Sequence, residues 1–173
     1  MEYRVKPPGK TKHMLIIAMF TSMAMVTGFI ESRFPLPFPG MRLGIANIFP
    51  LTALILYGPA EAISVAGLRL ALSFFLSGNI VALSCSAGGI IVSLPLSIAL
   101  YEYFADVLSV PAISVASAFA FNAGQLGAIA LLLGSWGVLA YLPPLLLCAA
   151  ATGYAIGSLA SMLARKLSSG KQT

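Results

Sequence analysis

The sequence predicts an all-α integral membrane protein, a bundle of six transmembrane helices with both termini in the cytoplasm. The first observation is compositional: the 173 residues are 59% hydrophobic and only 9% charged, whereas soluble domains carry about 25% charged residues. The second is that the apolar residues form long runs, and a membrane-spanning helix needs about 20 mostly apolar residues. So few charges cannot cover a domain in water. The lipid bilayer is therefore the expected surroundings, and the length indicates one domain.

Six apolar segments follow one another along the chain. The predicted spans are 14–30, 43–57, 60–76, 80–100, 110–133 and 139–163. Gly58 and Pro59 separate the second span from the third, and a Ser-Gly-Asn turn at 77–79 separates the third from the fourth. Pro95 predicts a kink in the fourth span. Pro143 and Pro144 fall in the first turn of the sixth span, where proline is tolerated.

Basic residues are concentrated in the two tails, 1–13 and 164–173, which flank a membrane domain at 14–163. Basic segments beside membrane spans stay in the cytoplasm. Two cytoplasmic tails require an even number of crossings, which agrees with six. Nucleic acid is not an expected partner, because no basic patch interleaved with aromatic residues occurs.

No cofactor or metal site is expected. Both cysteines lie inside apolar runs, where cysteine serves as a small hydrophobe, and the single histidine, His13, lies in the basic tail.

Small residues recur at a spacing of four. The pairs are Ala18 and Ser22, Ala24 and Gly28, and Gly153 and Gly157. This spacing lets transmembrane helices approach closely. We favour packing within the bundle and keep packing against a partner protein as the second interpretation.

Polar side chains within the predicted spans come from several helices but lie at one level, in the outer half of the membrane. A charged side chain at membrane depth costs about 2.5–3.5 kcal/mol on insertion scales. Arg69 and the nearby amides are therefore expected to face one another or a hydrated cavity. The predicted substrate-binding residues are Arg42, Asn47, Arg69, Asn79, Ser86, Asn122 and Gln125. The alternative is an internal hydrogen-bond network that only joins the helices.

Charged residues near this level suggest the kind of solute. Arg42 and Arg69 favour an anionic or carbonyl-rich one, although Arg42 could instead reach lipid headgroups. Glu31 and Arg33 are expected at the membrane interface, as weak candidates for the site. Glu61 is expected to complement the dipole of the third helix, which it begins.

A proline-rich segment precedes the second span. It includes Phe34, Pro35, Pro37, Phe38, Pro39 and Gly40. Repeated prolines stiffen a chain, and non-helical backbone at membrane depth is tolerated only where protein or a water-filled cavity covers it. We predict that this segment is a gate over the pocket.

These residues resemble those of the family called heptaprenyl diphosphate synthase component I, also called Gx transporter. The resemblance rests on FPGMRLGIANIFPLTALILYG at 38–58, on Arg69, and on the segments 77–79, 84–89 and 121–125. It covers about 14–163. The family's architecture is similar to that of the substrate-binding S components of energy-coupling factor (ECF) transporters. One departure is Phe121, where the family usually has histidine, which implies a lost protonation role or a more apolar solute.

The name Gx transporter implies a solute-binding subunit in a prokaryotic cytoplasmic membrane. Its solute would be a vitamin, a cofactor precursor or an isoprenoid-like molecule. An ECF scaffold, contacted at Ala18 and Ser22, and separate ATPases would be its partners. The chain itself lacks the phosphate-binding loop of an ATPase.

The other name implies a subunit of a prenyl diphosphate synthase. Such synthases use clustered aspartates to hold Mg²⁺, and this chain has one aspartate, Asp106. The chain is therefore expected to be non-catalytic, either as an accessory component that handles an isoprenoid or as a purely structural membrane subunit.

Overall fold

The structure is a computed structural model that describes residues 9–33 and 44–169, without the side chains of 168 and 169. Within these residues all regular secondary structure is helical. The α-helices are α1 (Lys10–Glu31), α2 (Ile48–Leu56), α3 (Pro59–Ser77), α4 (Ile80–Phe104), α5 (Val110–Leu133) and α6 (Leu142–Ser169). Two 3₁₀ helices precede α2 and α6, at Ile45–Asn47 and Trp136–Tyr141. The six predicted segments therefore all form helices.

Five of these helices are long and apolar enough to cross a membrane, and α2 is not. The helix in the predicted second span, 43–57, is shorter than expected, because Gly44 adopts a left-handed conformation with φ 85° and a 3₁₀ turn follows it. The α-helix that remains has 9 residues, about 14 Å at 1.5 Å per residue, less than half of the roughly 30 Å hydrocarbon core.

The short helix α2 is the centre of the bundle. Every residue from Pro50 to Leu56 is buried, and α2 packs against α1, α3, α4 and α6. Apolar residues all round a helix are typical of a buried one. Protein therefore surrounds α2, which needs no lipid-facing side.

Glycines allow α4, α5 and α6 to pack closely. A Cβ at Gly124 of α5 would overlap the backbone of Gly88 in α4, and a Cβ at Gly153 or Gly157 of α6 would lie within 2.8 Å of the α5 backbone. These glycines therefore pack inside the bundle, as do Ala24 and Gly28 of α1, which are buried.

Ala18 and Ser22, the third predicted pair, differ from the other two. Both are exposed on α1. They are not used for packing among the described helices.

The start of α1 and the end of α6 lie at the same end of the bundle. His13 contacts Glu61 at the start of α3 with 3.1 Å between Nε2 and Oε1. Ala164, near the end of α6, belongs to the same apolar cluster as Ala62. The two ends of the described chain lie together because the number of α-helices is even. That this end of the bundle faces the cytoplasm stays a prediction.

Candidate functional site

The side chain of Arg69 is buried in the bundle. Only 2% of the residue is exposed, and its Nη1 donates a hydrogen bond to Oδ1 of Asn47 at 2.9 Å. Asn47 ends the first 3₁₀ helix, so this bond joins α3 to the N-terminal end of α2. A buried charge is stable only where hydrogen bonds compensate its lost hydration. Arg69 therefore fixes the position of the turn that precedes α2.

The neighbouring helices α4 and α5 contribute further buried polar groups. Asn122, Gln125 and Ser86 are all buried. The Nδ2 group of Asn122 donates to the carbonyl of Ala118 at 3.0 Å, which turns its Oδ1 the other way. Within the described residues, Oδ1 of Asn122 and Oγ of Ser86 have no hydrogen-bond partner. Buried polar atoms of this kind are rare in proteins, so each of them needs an explanation.

Glu31 is also part of this region, although the sequence makes it only a weak candidate for the site. The residue is 1% exposed. Its Oε1 accepts hydrogen bonds from the backbone N–H of Gly44 and from that of Ile45, the latter at 3.2 Å. The first N–H groups of a helix lack partners within the helix, and a negative charge suits that end of the helix dipole.

Sequence reasoning missed this role of Glu31. The available signal was an acidic residue at the end of an apolar run, followed by a glycine that begins a new helix. Hydrogen bonds join Arg69 to Asn47 and Glu31 to the turn that contains Asn47. We use the name polar cluster for the buried or half-buried polar residues Glu31, Asn47, Arg69, Ser86, Asn122 and Gln125.

The ring of Phe121 forms one side of the polar cluster. A Cβ at Gly89 would lie 2.5 Å from this ring, and a Cβ at Gly44 would lie 3.5 Å from it and 3.3 Å from Nδ2 of Asn47. The two glycines thus leave the space that the ring fills. Phe121 is therefore an apolar wall beside Asn47.

A small cavity extends from Asn47 into the bundle. Its volume is about 40 Å³, which is enough for about three waters. Its hydroxyl groups come from Ser93, Ser97, Ser114 and Ser117. A solute larger than a few atoms therefore requires the helices around it to move.

Asn79 is not in the polar cluster. It is exposed, and its Oδ1 accepts a hydrogen bond from the N–H of Ala82 at 3.0 Å, which makes it the N-cap of α4. It also lines a largely apolar groove of about 670 Å³ between the ends of α1, α3 and α4, with Met25, Phe29 and Leu76. The predicted gate, 34–40, and Arg42 lie outside the described residues.

Charged residues away from the cluster have other partners. Glu61 contacts His13, and the exposed Arg33 lies over the ring of Phe29 with 4.8 Å to its centroid. Among the residues that the structure describes, no group of three or more His, Cys, Asp or Glu could hold a metal ion.

The family model described as heptaprenyl diphosphate synthase component I matches residues 20–163. The chain belongs to this family. Comparison with curated proteins and with solved structures gives no significant match. The match to component I begins within α1 and ends within α6, so it includes the whole polar cluster. The chain is a multi-pass membrane protein, because five of the helices in its described residues are long and apolar enough to span a membrane.

Proposed function

We propose that this component I protein is a solute-binding membrane subunit that holds a small, polar-headed solute at the polar cluster. The observation that supports the proposal most is the burial of Arg69, which is 2% exposed, together with polar groups from four other helical segments. Each of these groups costs free energy at membrane depth. Arginine binds carboxylates and other planar acceptors through two parallel hydrogen bonds, which suits it to hold the acceptor end of a solute.

Unpartnered atoms favour a binding site over a purely structural network. A network that only joins helices is expected to satisfy all its members, because a partly satisfied network is costly. Here Oδ1 of Asn122, Oγ of Ser86 and Oε2 of Glu31 lack partners among the described residues. A bound solute would supply them.

We base the proposed transport role on the resemblance of the family's architecture to that of ECF S components. In that arrangement the solute enters from outside, and a scaffold with ATPases drives its release inside. Ala18 and Ser22 are the proposed scaffold contacts, because they are small and exposed on α1. Predicted gate residues 34–40 and Arg42 are proposed as further parts of the outer opening. The subunit itself is proposed to be non-catalytic.

The first prediction concerns Arg69. The protein is purified in detergent, and the small molecules that it carries are released and identified by mass spectrometry. We expect Arg69→Met to lower the occupancy at least about 10-fold, because a hydrogen bond to a charged group contributes about 1.5–3 kcal/mol. Arg33→Met is the matched control, since Arg33 is exposed, and it should retain the solute.

Thermal unfolding verifies that the Arg69 variant is folded, and Arg69→Lys serves as a second variant that keeps the charge. A folded Arg69→Met protein with the occupancy of the wild type would remove Arg69 from the site.

The second candidate function is that of a membrane accessory component of a heptaprenyl diphosphate synthase. The family match supports it, and the apolar groove between α1, α3 and α4 has the lining expected for an isoprenoid chain. Affinity purification from the native membrane separates the two functions. Co-purification of a soluble prenyl synthase subunit supports the accessory role, whereas co-purification of ATPase subunits supports transport.

A further inference from the structure

We infer that the solute is amphoteric, with a hydrogen-bond donor or cationic group for Glu31 as well as an acceptor or anionic group for Arg69. This inference rests on the proposed function, and it names the class of solute for the same site. Arg42 and Arg69 alone would favour an anionic or carbonyl-rich solute, and the inference adds a donor or cationic group to that solute.

The carboxylate of Glu31 has one oxygen more than its structural role requires. Oε1 caps the first 3₁₀ helix through the N–H groups of Gly44 and Ile45. Oε2 is buried and has no hydrogen-bond partner among the described residues. A neutral acceptor would suffice for the cap, since serine and asparagine are as common as aspartate at that position. The second oxygen is therefore available to a solute.

Glu31 and Arg69 face the same small region of the bundle. Gly44, whose N–H bonds to Glu31, is also next to Asn47, with 3.3 Å between a Cβ at Gly44 and Nδ2 of Asn47. Asn47 in turn accepts a hydrogen bond from Arg69. The carboxylate of Glu31 and the guanidinium of Arg69, which carry opposite charges, thus both contact the turn at 44–47.

Asn122 adds a second acceptor to this region. Its amide nitrogen donates to the carbonyl of Ala118, and its buried Oδ1, like every amide oxygen, can only accept. Asn122 directly follows Phe121, whose ring lies against Gly44 and Gly89. Among the described residues, Oε2 of Glu31 and Oδ1 of Asn122 are acceptors without partners, and N–H or O–H groups on the solute would satisfy both, because an unsatisfied buried acceptor is costly.

The test uses three series of related probes, and each series compares a zwitterion with an analogue that has only the amine and one that has only the carboxylate. The propyl series is β-alanine, propylamine and propionate. The phenylethyl series is phenylalanine, phenethylamine and 3-phenylpropionate. The indolylethyl series is tryptophan, tryptamine and indole-3-propionate. Affinities are measured by isothermal titration and by the shift of the thermal unfolding midpoint in one detergent.

The expected result is that, in at least one series, the zwitterion binds about 10-fold more tightly than either singly charged analogue. Glu31→Gln should then weaken the zwitterion and the amine about 10-fold or more, while the carboxylate is unaffected. Glutamine retains one oxygen for the cap and presents an NH₂ group where Oε2 was. Arg69→Met should weaken the zwitterion and the carboxylate. Glu61→Gln is the matched control, because Glu61 undergoes the same chemical change at the other end of the bundle.

Three results would overturn the inference: the carboxylate is the tightest ligand in every series, no zwitterion binds, or a folded Glu31→Gln protein retains the wild-type affinity for the zwitterion. Tight carboxylate binding alone leaves the proposed function standing. Failure of the proposed function is a separate result, in which the purified wild-type protein carries no small molecule at all.

Discussion

Phe121 fills the space that two glycines leave beside the polar cluster. The ring is buried and contacts the positions where Gly44 and Gly89 would carry a Cβ. A histidine here would add a polar ring next to Asn47. The phenyl ring instead excludes water from that side, which strengthens the electrostatic interactions of Arg69 and Glu31 with whatever they bind.

The second prediction follows from this contact. Gly89→Ala should lower the free energy of unfolding by about 1–3 kcal/mol, because its Cβ overlaps the Phe121 ring. Phe121→Leu should relieve the overlap, so the double variant should be more stable than the sum of the single effects by about 0.5–3 kcal/mol. Denaturation of all four proteins in one detergent measures the coupling. Strict additivity would show that the ring does not occupy this space.

Burial of most of the polar cluster could be predicted from the sequence. Asn47, Arg69 and Asn122 interrupt apolar segments, and the depth of each along its helix follows from the order of the spans. Depth does not reveal which way a side chain turns. Depth alone therefore predicts Asn79 in the site, although it follows Ser77 and Gly78 as a helix cap. It makes Glu31 only a weak candidate, because the partners of Glu31 are the backbone N–H groups of Gly44 and Ile45.

At the scale of helices, long apolar runs determine five of the six elements. The predicted bounds of α3, α4 and α5 agree with the structure to within a few residues. The second helix was predicted too long because its sequence is continuously apolar, and hydropathy cannot distinguish a lipid-facing helix from one surrounded by protein. Only contacts with four other helices show that α2 is internal.

The third prediction compares two glycines one turn apart on α5. Gly124→Ala should destabilise the protein by about 1–3 kcal/mol, because its Cβ would overlap the backbone carbonyl of Gly88, which cannot move away as a side chain can. Gly127→Ala is the control, since nothing lies within 4 Å of a Cβ there. It should be neutral or stabilising by up to about 1 kcal/mol. Equal effects on the thermal unfolding midpoint would mean that α4 and α5 are further apart than described.

The whole molecule has two distinct ends. The starts of α1 and α3 and the end of α6 form one end, and the turns after α3 and α5 form the other. The described basic residues Lys10, Lys12, Arg165 and Lys166 belong to the first end, which the positive-inside rule predicts to be cytoplasmic. The polar cluster lies towards the second end, where Glu31 ends α1 and the first 3₁₀ helix begins.

The fourth prediction tests this orientation. In a protein with Cys85 and Cys148 replaced by serine and alanine, single cysteines are introduced at Lys12, Ser135 and Lys166. A membrane-impermeant maleimide added to intact cells should label the Ser135 variant, whereas the Lys12 and Lys166 variants should react only after permeabilisation. The opposite pattern would place the polar cluster towards the cytoplasm and would exclude capture of a solute from outside.

The shortness of α2 has a consequence for how the protein is made. Nine residues are too few to partition into the bilayer on their own as the ribosome delivers them. Since α2 rests on α6, its final surroundings exist only when the last helix has been synthesised. We therefore expect the central helix to be enclosed late in maturation, and a nascent chain that stops before α6 to leave one side of that helix uncovered.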